Sequence, residues 1–177
     1  MYLLNNLEIR NSVAQANKSY LAIDKFENQY LQHTFYYFRL GSFLSTKKAT
    51  VPLTSNKINL PPESYINIES LETFYLGDRI FSIIGQSTEL IMSGIQLNYS
   101  PFIDPLFQGR LRLGIKNFSQ DNIDLEIGQI IGKVSFFDIT DSLPIKVDMG
   151  SIIEDKFRRR LPLRDDDPVH PDPDDDE

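Results

Sequence analysis

The sequence has no cysteine and only two histidines. This excludes disulfides, thiol nucleophiles and cysteine-ligated zinc, and it fits a reducing compartment. No apolar run approaches the ~18 residues that a membrane helix needs. The start, Met1-Tyr2-Leu3-Leu4-Asn5-Asn6, lacks the basic and apolar regions of a signal peptide, so the expectation is a cytoplasmic protein with no membrane partner. Glycine is missing after Gly150. Outside the C-terminal end there is no block of Lys and Arg, which argues against a nucleic-acid partner.

What is present is a globular body of 177 residues, about one domain by length. A chain of this size buries roughly 70% of its unfolded surface. Hydrophobic residues make up 41% and aromatics 11%, which suffices for a core. The net charge of −7 is unevenly placed. Of 25 acidic residues, 8 lie between Asp165 and Glu177, leaving 17 against 18 Lys and Arg in the rest. The body is therefore close to neutral, and the overall charge says nothing about its partners.

Residues 1–20 read as a short helix, with Leu3, Leu4, Leu7, Val13 and Ala14 as a loose apolar stripe. After that the pattern turns to strands. Phe35–Phe38 is aromatic; Tyr65–Glu69, Arg110–Ile115 and Ile123–Ile127 alternate; Arg79–Ile84 and Lys133–Ile139 are β-prone. Turn signals at Pro61-Pro62, Gly77-Asp78, Gly109, Asp121-Asn122, Gly128 and Pro144 separate them. Many short strands behind one helix predict a mainly β barrel or double sheet. The expected division is a helix over 1–20, a β domain over 21–160 and an acidic, Pro/Asp-rich, disordered tail over 161–177. The tail reads either as a solubilising segment or as one that masks the neighbouring Arg158–Arg160 or mimics a phosphate backbone toward a protein partner.

The stretch Phe35–Phe137 resembles the dCTP deaminase branch of the dUTPase superfamily. Phe38-Arg39-Leu40-Gly41 looks like the end of S-Y-D-x-R-L-G. Leu60-Pro61-Pro62 and Glu69-Ser70-Leu71-Glu72 look like L-P-P-G and x-T-x-E. Gly85-Gln86-Ser87-Thr88 stands where the family has G-R-S-S. Ile103–Gly109 resembles I-D-P-G-F/W-x-G, and Asn117 with Gly128–Phe136 resembles the closing N and G-x-x-I-G-x-x-S-F. The resemblance implies a distorted β-barrel or jelly-roll-like dUTPase fold, a homotrimer, and deoxynucleotide pockets between subunits. It implies no zinc and no other cofactor; Mg²⁺ enters only together with a nucleoside triphosphate.

The same resemblance shows what is missing. Deamination at C4 needs a proton shuttle beside the attacking water. In the family a Glu in L-E-x-x-N serves, and here that position is Gly114, in Leu113-Gly114-Ile115-Lys116-Asn117. The other reading is a strand misaligned by one or two residues, but no acid lies within Leu111–Ser119. The two family arginines of G-R-S-S-L-A-R are Gln86 and Ile91. A triphosphate carries about −4, and Arg forks pair with it where Gln offers one neutral donor and Ile none. Ser87 and Thr88 stay as hydroxyl donors to a nucleotide, or as turn or helix-cap residues. Asp104 reads as a water-orienting carboxylate, or as a turn cap before Pro105. Phe107 is placed to stack on a base, and Lys156, in Asp155-Lys156-Phe157-Arg158, resembles the family's K-Y segment that folds over the nucleotide. Arg158–Arg160 either replace the lost arginines or form a solvated helix end. The expectation is a deaminase-like protein without catalysis, acting as a structural, regulatory or nucleotide-sensing subunit. The alternative is an active dCTP deaminase or dUTP diphosphatase with a rearranged site.

Overall fold

The computed structural model describes residues 1–45, 50–52 and 55–140, with side chains left undescribed from 43 to 54. Lys156, Arg158–Arg160, the acidic tail and the C-terminal limit of the β domain lie outside the described residues.

The chain opens with strand β1 (Tyr2–Leu3) and helix α1 (Asn6–Ala14). Asn5 sets the start of α1. Its side chain accepts from the Leu7 and Glu8 amides, while Glu8 Oε2 takes the Asn5 N–H at 2.8 Å, a reciprocal cap. Ala16, at φ 49°, turns the chain out of the helix. The helix is thus shorter than the stretch 1–20, because Tyr2–Leu3 pairs as a strand with Asp138 and Phe137. Ile9, not Leu7, is its buried residue.

Strands follow: β2 (Leu21–Asp24), β3 (Tyr36–Ser45), β4 (Thr50–Pro52), β5 (Lys57–Leu60), β6 (Tyr65–Ser70), β7 (Thr73–Leu76) and β8 (Ile80–Gln86). A one-turn helix α2 (Thr88–Met92) separates β8 from β9 (Ile95–Asn98), β10 (Phe102–Ile103) and β11 (Gln108–Gly109). The last are β12 (Arg112–Asn117), β13 (Ile123–Glu126) and β14 (Ile130–Asp138). The molecule is mainly β, as expected. All six segments anticipated as strands are strands. A nine-stranded curled sheet runs β10-β8-β14-β3-β6-β12-β9, with β1 added on β14 and β4 on β3. Two small sheets, β11-β7-β2 and β13-β5, accompany it.

Strand β3 joins the two halves of the large sheet. Tyr36–Arg39 pair with β14, and from Leu40 onward the partner is β6, with register shifts on both sides. Alternation places Tyr36, Phe38 and Leu40 inside, with Phe74, Phe136 and Ile68, all fully buried. Phe74 stands at the centre, 6.5 Å edge-on to Phe38 and 6.4 Å from Phe136 between ring centroids. Within β3, where its partner changes from β14 to β6, Arg39 donates Nε–H to Glu72 Oε1 at 2.7 Å, and its other nitrogens reach the Glu27 carboxylate and the Lys25 carbonyl. Glu72 also accepts the Arg39 main-chain N–H at 2.9 Å. Burial pushes the Glu72 carboxyl above its ordinary range, against the pull of Arg39.

Candidate functional site

Strand β12 lies between β6 and β9, with Gly114 opposite Asn67 on one side and Asn98 on the other. Leu113, Ile115 and Asn117 point inward and are buried, so Arg112, Gly114 and Lys116 share the outward face. Neighbouring strands add Tyr65, Asn67 and Glu69 from β6, and Gln96 and Asn98 from β9.

The gap left by Gly114 is filled. A Cβ at that position would meet the Tyr65 hydroxyl at 2.1 Å and the ring carbon Cζ at 2.6 Å. Tyr65 thus leans across the glycine from the next strand, and its O–H donates to Asn67 Oδ1 at 3.0 Å. Aromatic cover of a glycine on a neighbouring strand is a known way to stabilise a sheet. Where the resemblance expects a carboxylate, the protein holds a phenol supplied from another strand. Around it the charges are paired. Lys116 Nζ contacts Glu63 at 2.6 Å, and Glu69 takes Arg112 at 3.2 Å and Arg110 at 3.8 Å.

The residues expected at the phosphates are engaged elsewhere. Gln86, at the end of β8, donates its amide N–H to the Ile95 carbonyl, and its Oε1 accepts from the Leu97 amide at 3.0 Å. It thereby pairs with the backbone of β9, the strand that ends the sheet path, and ties it to β8 near the other end. Ser87 is buried and caps α2, its hydroxyl accepting from the Leu90 amide at 3.3 Å. Thr88 is exposed as the first residue of α2. Ile91 is exposed on the same turn and offers only an apolar surface.

Asp104 and Phe107 sit on the connection from β10 to β11. Among the described residues the Asp104 side chain has neither hydrogen bond nor ion pair, so it does not cap its turn, and it is exposed. Its main-chain carbonyl accepts from Phe107 N–H at 3.4 Å, closing the turn instead. Leu106, where the family pattern has glycine, is exposed at φ 66°. Phe107 is half-buried against the core. No hydrogen bond or ion pair joins Asp104 to Gln86, Ser87 or Thr88 among the described residues. Gln86, Ser87 and Thr88 are contiguous, and Gln86 lies one strand away from Gly114, across β9. Tyr65, Asn67, Gln96 and Asn98 were not singled out from the sequence, because only strand register brings them beside Gly114.

Among the described residues no group of three or more His, Asp or Glu is placed to hold a metal ion, and no helix is long and apolar enough to cross a membrane.

Comparison with known proteins locates the resemblance. Residues 4–139 match the family described as dCTP deaminase-like. The dCTP deaminase of Pyrococcus horikoshii is 28% identical over 123 residues, 68% of this chain and 78% of that protein. The dCTP deaminase of Thermococcus kodakarensis is 25% identical over 118 residues, 66% of this chain and 75% of that one. Among solved structures, the 2'-deoxycytidine 5'-triphosphate deaminase from Agrobacterium tumefaciens superposes with a TM-score of 0.63 at 16% identity, over 76% of this chain. The match spans about half of that protein, 48% of its chain. A mutant dUTPase from phage phi11 of S. aureus gives 0.51 at 10% identity, over 72% of this chain and 96% of that one. At such identities the superpositions establish the fold.

Proposed function

The chain belongs to the dCTP deaminase-like family, and from that premise we propose that it is a non-catalytic member serving as a structural, regulatory or nucleotide-sensing subunit. The observation that carries this reading is Gly114, with the space above it taken by the Tyr65 phenol. A glycine moves no proton, and loss of a general acid–base typically removes ~10²–10⁴-fold of rate. The phosphate end supports the same reading, since the Gln86 amide is committed to β9 at both ends.

The test is direct. Incubated with dCTP or dUTP, the protein should release no dUTP, dUMP or pyrophosphate above background. Turnover of either nucleotide sinks the proposal. It would favour the second reading, an active deaminase or diphosphatase with a rearranged site, whose best support is the exposed carboxylate of Asp104, which has no partner among the described residues.

A homotrimer is part of the proposal, since the family resemblance places pockets between subunits. Light scattering should give about three times the chain mass of 20.4 kDa. A mass equal to one chain contradicts the trimer and leaves the Gly114 proposal standing.

A further inference from the structure

We infer that the outward face of β10, β8, β14 and β1 is a docking surface for an amphipathic helix of another protein, one that brings a stripe of apolar side chains and a carboxylate at one end. Strands β3 and β6 lie between β14 and β12 in the sheet, so this face is separate from that of Gly114, and the inference does not depend on the Gly114 reading.

The polarity of β8 is reversed. A sheet with one solvated side turns apolar residues inward and polar ones outward. In β8 the inward positions are Ile80, Ser82 and Ile84, and the buried Ser82 hydroxyl has no hydrogen-bond partner among the described residues. The outward positions are Phe81, Ile83 and Gly85. In β14 likewise, Phe136 faces inward and Phe137 outward. Strand register assembles the outward residues into rows. Leu3, Phe137 and Phe81 form one row, and Ser135, Ile83 and Phe102 form the next. The Phe81 ring lies 5.7 Å from that of Phe102 and 6.3 Å from that of Phe137. Phe102 is nevertheless 57% exposed, and Leu3 and Ile83 are exposed with it. Strands that are apolar on both sides are those covered on both sides, and a contiguous exposed apolar patch marks an interaction site.

The third row supplies the charge. Lys133 stands opposite Gly85, and its aliphatic stem lies over the glycine, where a Cβ would meet Lys133 Cε at 3.2 Å and Cγ at 3.4 Å. The ammonium is 5.5 Å from the centre of the Phe35 ring and makes no hydrogen bond or ion pair among the described residues. Covering it strips water from a charge without a counterion, which is costly unless the covering group is a carboxylate. None of the outward residues in the three rows is acidic, so the same face of a second copy brings no carboxylate to Lys133.

The shape of the face selects a helix. Strand β10 has two residues and lies between Pro101 and Pro105, so this edge offers little backbone for an added strand. The rows extend ~13 Å along the strands from Phe81 to Gly85 and ~14 Å across them from β10 to β1. A helix is ~10–12 Å wide and rises ~16 Å in three turns, so a single short helix spans the rows with Lys133 at one end.

The experiment is selection of a displayed library of helical peptides of about 15 residues on the full chain, followed by fluorescence-anisotropy titration of the recovered peptides. These should carry an apolar stripe at helical spacing and an Asp or Glu at one end. Phe102→Asp, at an exposed position, should weaken them at least tenfold, the scale of an aromatic anchor. Lys133→Glu should weaken the same peptides and tighten versions in which their acid is changed to lysine. If Phe102→Asp and Ile83→Asp both bind like the unaltered chain, the peptides sit elsewhere and the inference is overturned. It is equally overturned if Lys133→Glu leaves the charge preference as it was, or if no peptide is recovered. A fall in the light-scattering mass of Phe102→Asp would show that a second copy covers the face instead, which also overturns it. None of these results touches the Gly114 reading, which nucleotide turnover decides.

Discussion

Replacement of Arg39 by methionine should cost about 3–5 kcal/mol of stability, the range for removing one partner of a buried ion pair. Glu72 is fully buried and Arg39 nearly so. Without the guanidinium, the Glu72 carboxylate keeps main-chain N–H donors, those of Arg39 and of Glu72 itself, but its charge has no counterion among the described residues. Arg39→Met also removes the contacts to Glu27, to the Lys25 carbonyl and to the Tyr30 ring, which lies 4.4 Å from the guanidinium carbon. Glu72→Gln should cost less, because Arg39 then retains Glu27 and the Lys25 carbonyl. The double variant Arg39→Met/Glu72→Gln should be more stable than the sum of the two losses implies, since it removes both charges. The pH dependence has a definite sign. A carboxyl whose folded pKa is raised gives the folded state the extra proton, so stability falls as pH rises from the unfolded value towards the folded one. Arg39→Met raises that folded value further, so its deficit should be larger at pH 8 than at pH 5. Urea titrations at the two pH values decide the matter. A deficit under about 1 kcal/mol, the ordinary worth of an exposed pair, would show that the junction does not hold β3.

The residues that carry the family resemblance divide by what they do in the fold. Those retained, Asp104 apart, hold the scaffold. Arg39 and Glu72 form the buried junction, and the Ser70 hydroxyl donates to the Glu72 carbonyl while accepting the Leu111 amide. Asn117 is completely buried, its amide donating to the Leu60 and Asp121 carbonyls and its oxygen accepting from Ser119. The positions that the resemblance assigns to chemistry at Gly114, Gln86 and Ile91 are altered, and so are two of its turn glycines, where Glu63 and Leu106 stand. This is why the architecture was readable from the sequence and the site only partly. Alternating segments such as Tyr65–Glu69 and Ile123–Ile127 declare themselves locally, because one face must be apolar. Strands β2, β5, β7 and β9 have four residues each and acquire their conformation from distant partners, as β7 does between β2 and β11. The absence of an acid at 114 is visible in one dimension, but its replacement by Tyr65 is a cross-strand event. Gln86 likewise reads as a lost phosphate ligand until the register shows it fastened to β9.

Gly41 gives the sharpest expectation among the glycines. A Cβ there would lie 2.6 Å from the Ser70 carbonyl oxygen, 2.7 Å from that of Glu69 and 2.9 Å from the Ser70 carbonyl carbon. All three atoms belong to the backbone of β6 and cannot rotate aside. Gly41→Ala must therefore separate β3 from β6 where Leu40 pairs with Ser70, straining the 2.8 Å bond from the Leu71 amide to the Arg39 carbonyl. The expected cost is about 3 kcal/mol or more, the upper range for overpacking. Gly114→Ala is the control. The nearest atoms there belong to the Tyr65 side chain, which can swing into solvent, so the loss should be about 1 kcal/mol, one net hydrogen bond and some cover. Side by side in urea, Gly41→Ala should unfold at markedly lower denaturant than Gly114→Ala; equal midpoints would mean that the close crossing of β3 over β6 is not maintained in solution. The crossing bears on the outward face of β12 as well. Glu69, one of the two residues whose carbonyls Gly41→Ala would displace, is the residue that holds Arg112 beside Gly114. Any Gly41→Ala protein that still folds should therefore show shifted Arg112 and Gly114 amide signals, whereas Gly114→Ala should leave β3 unperturbed.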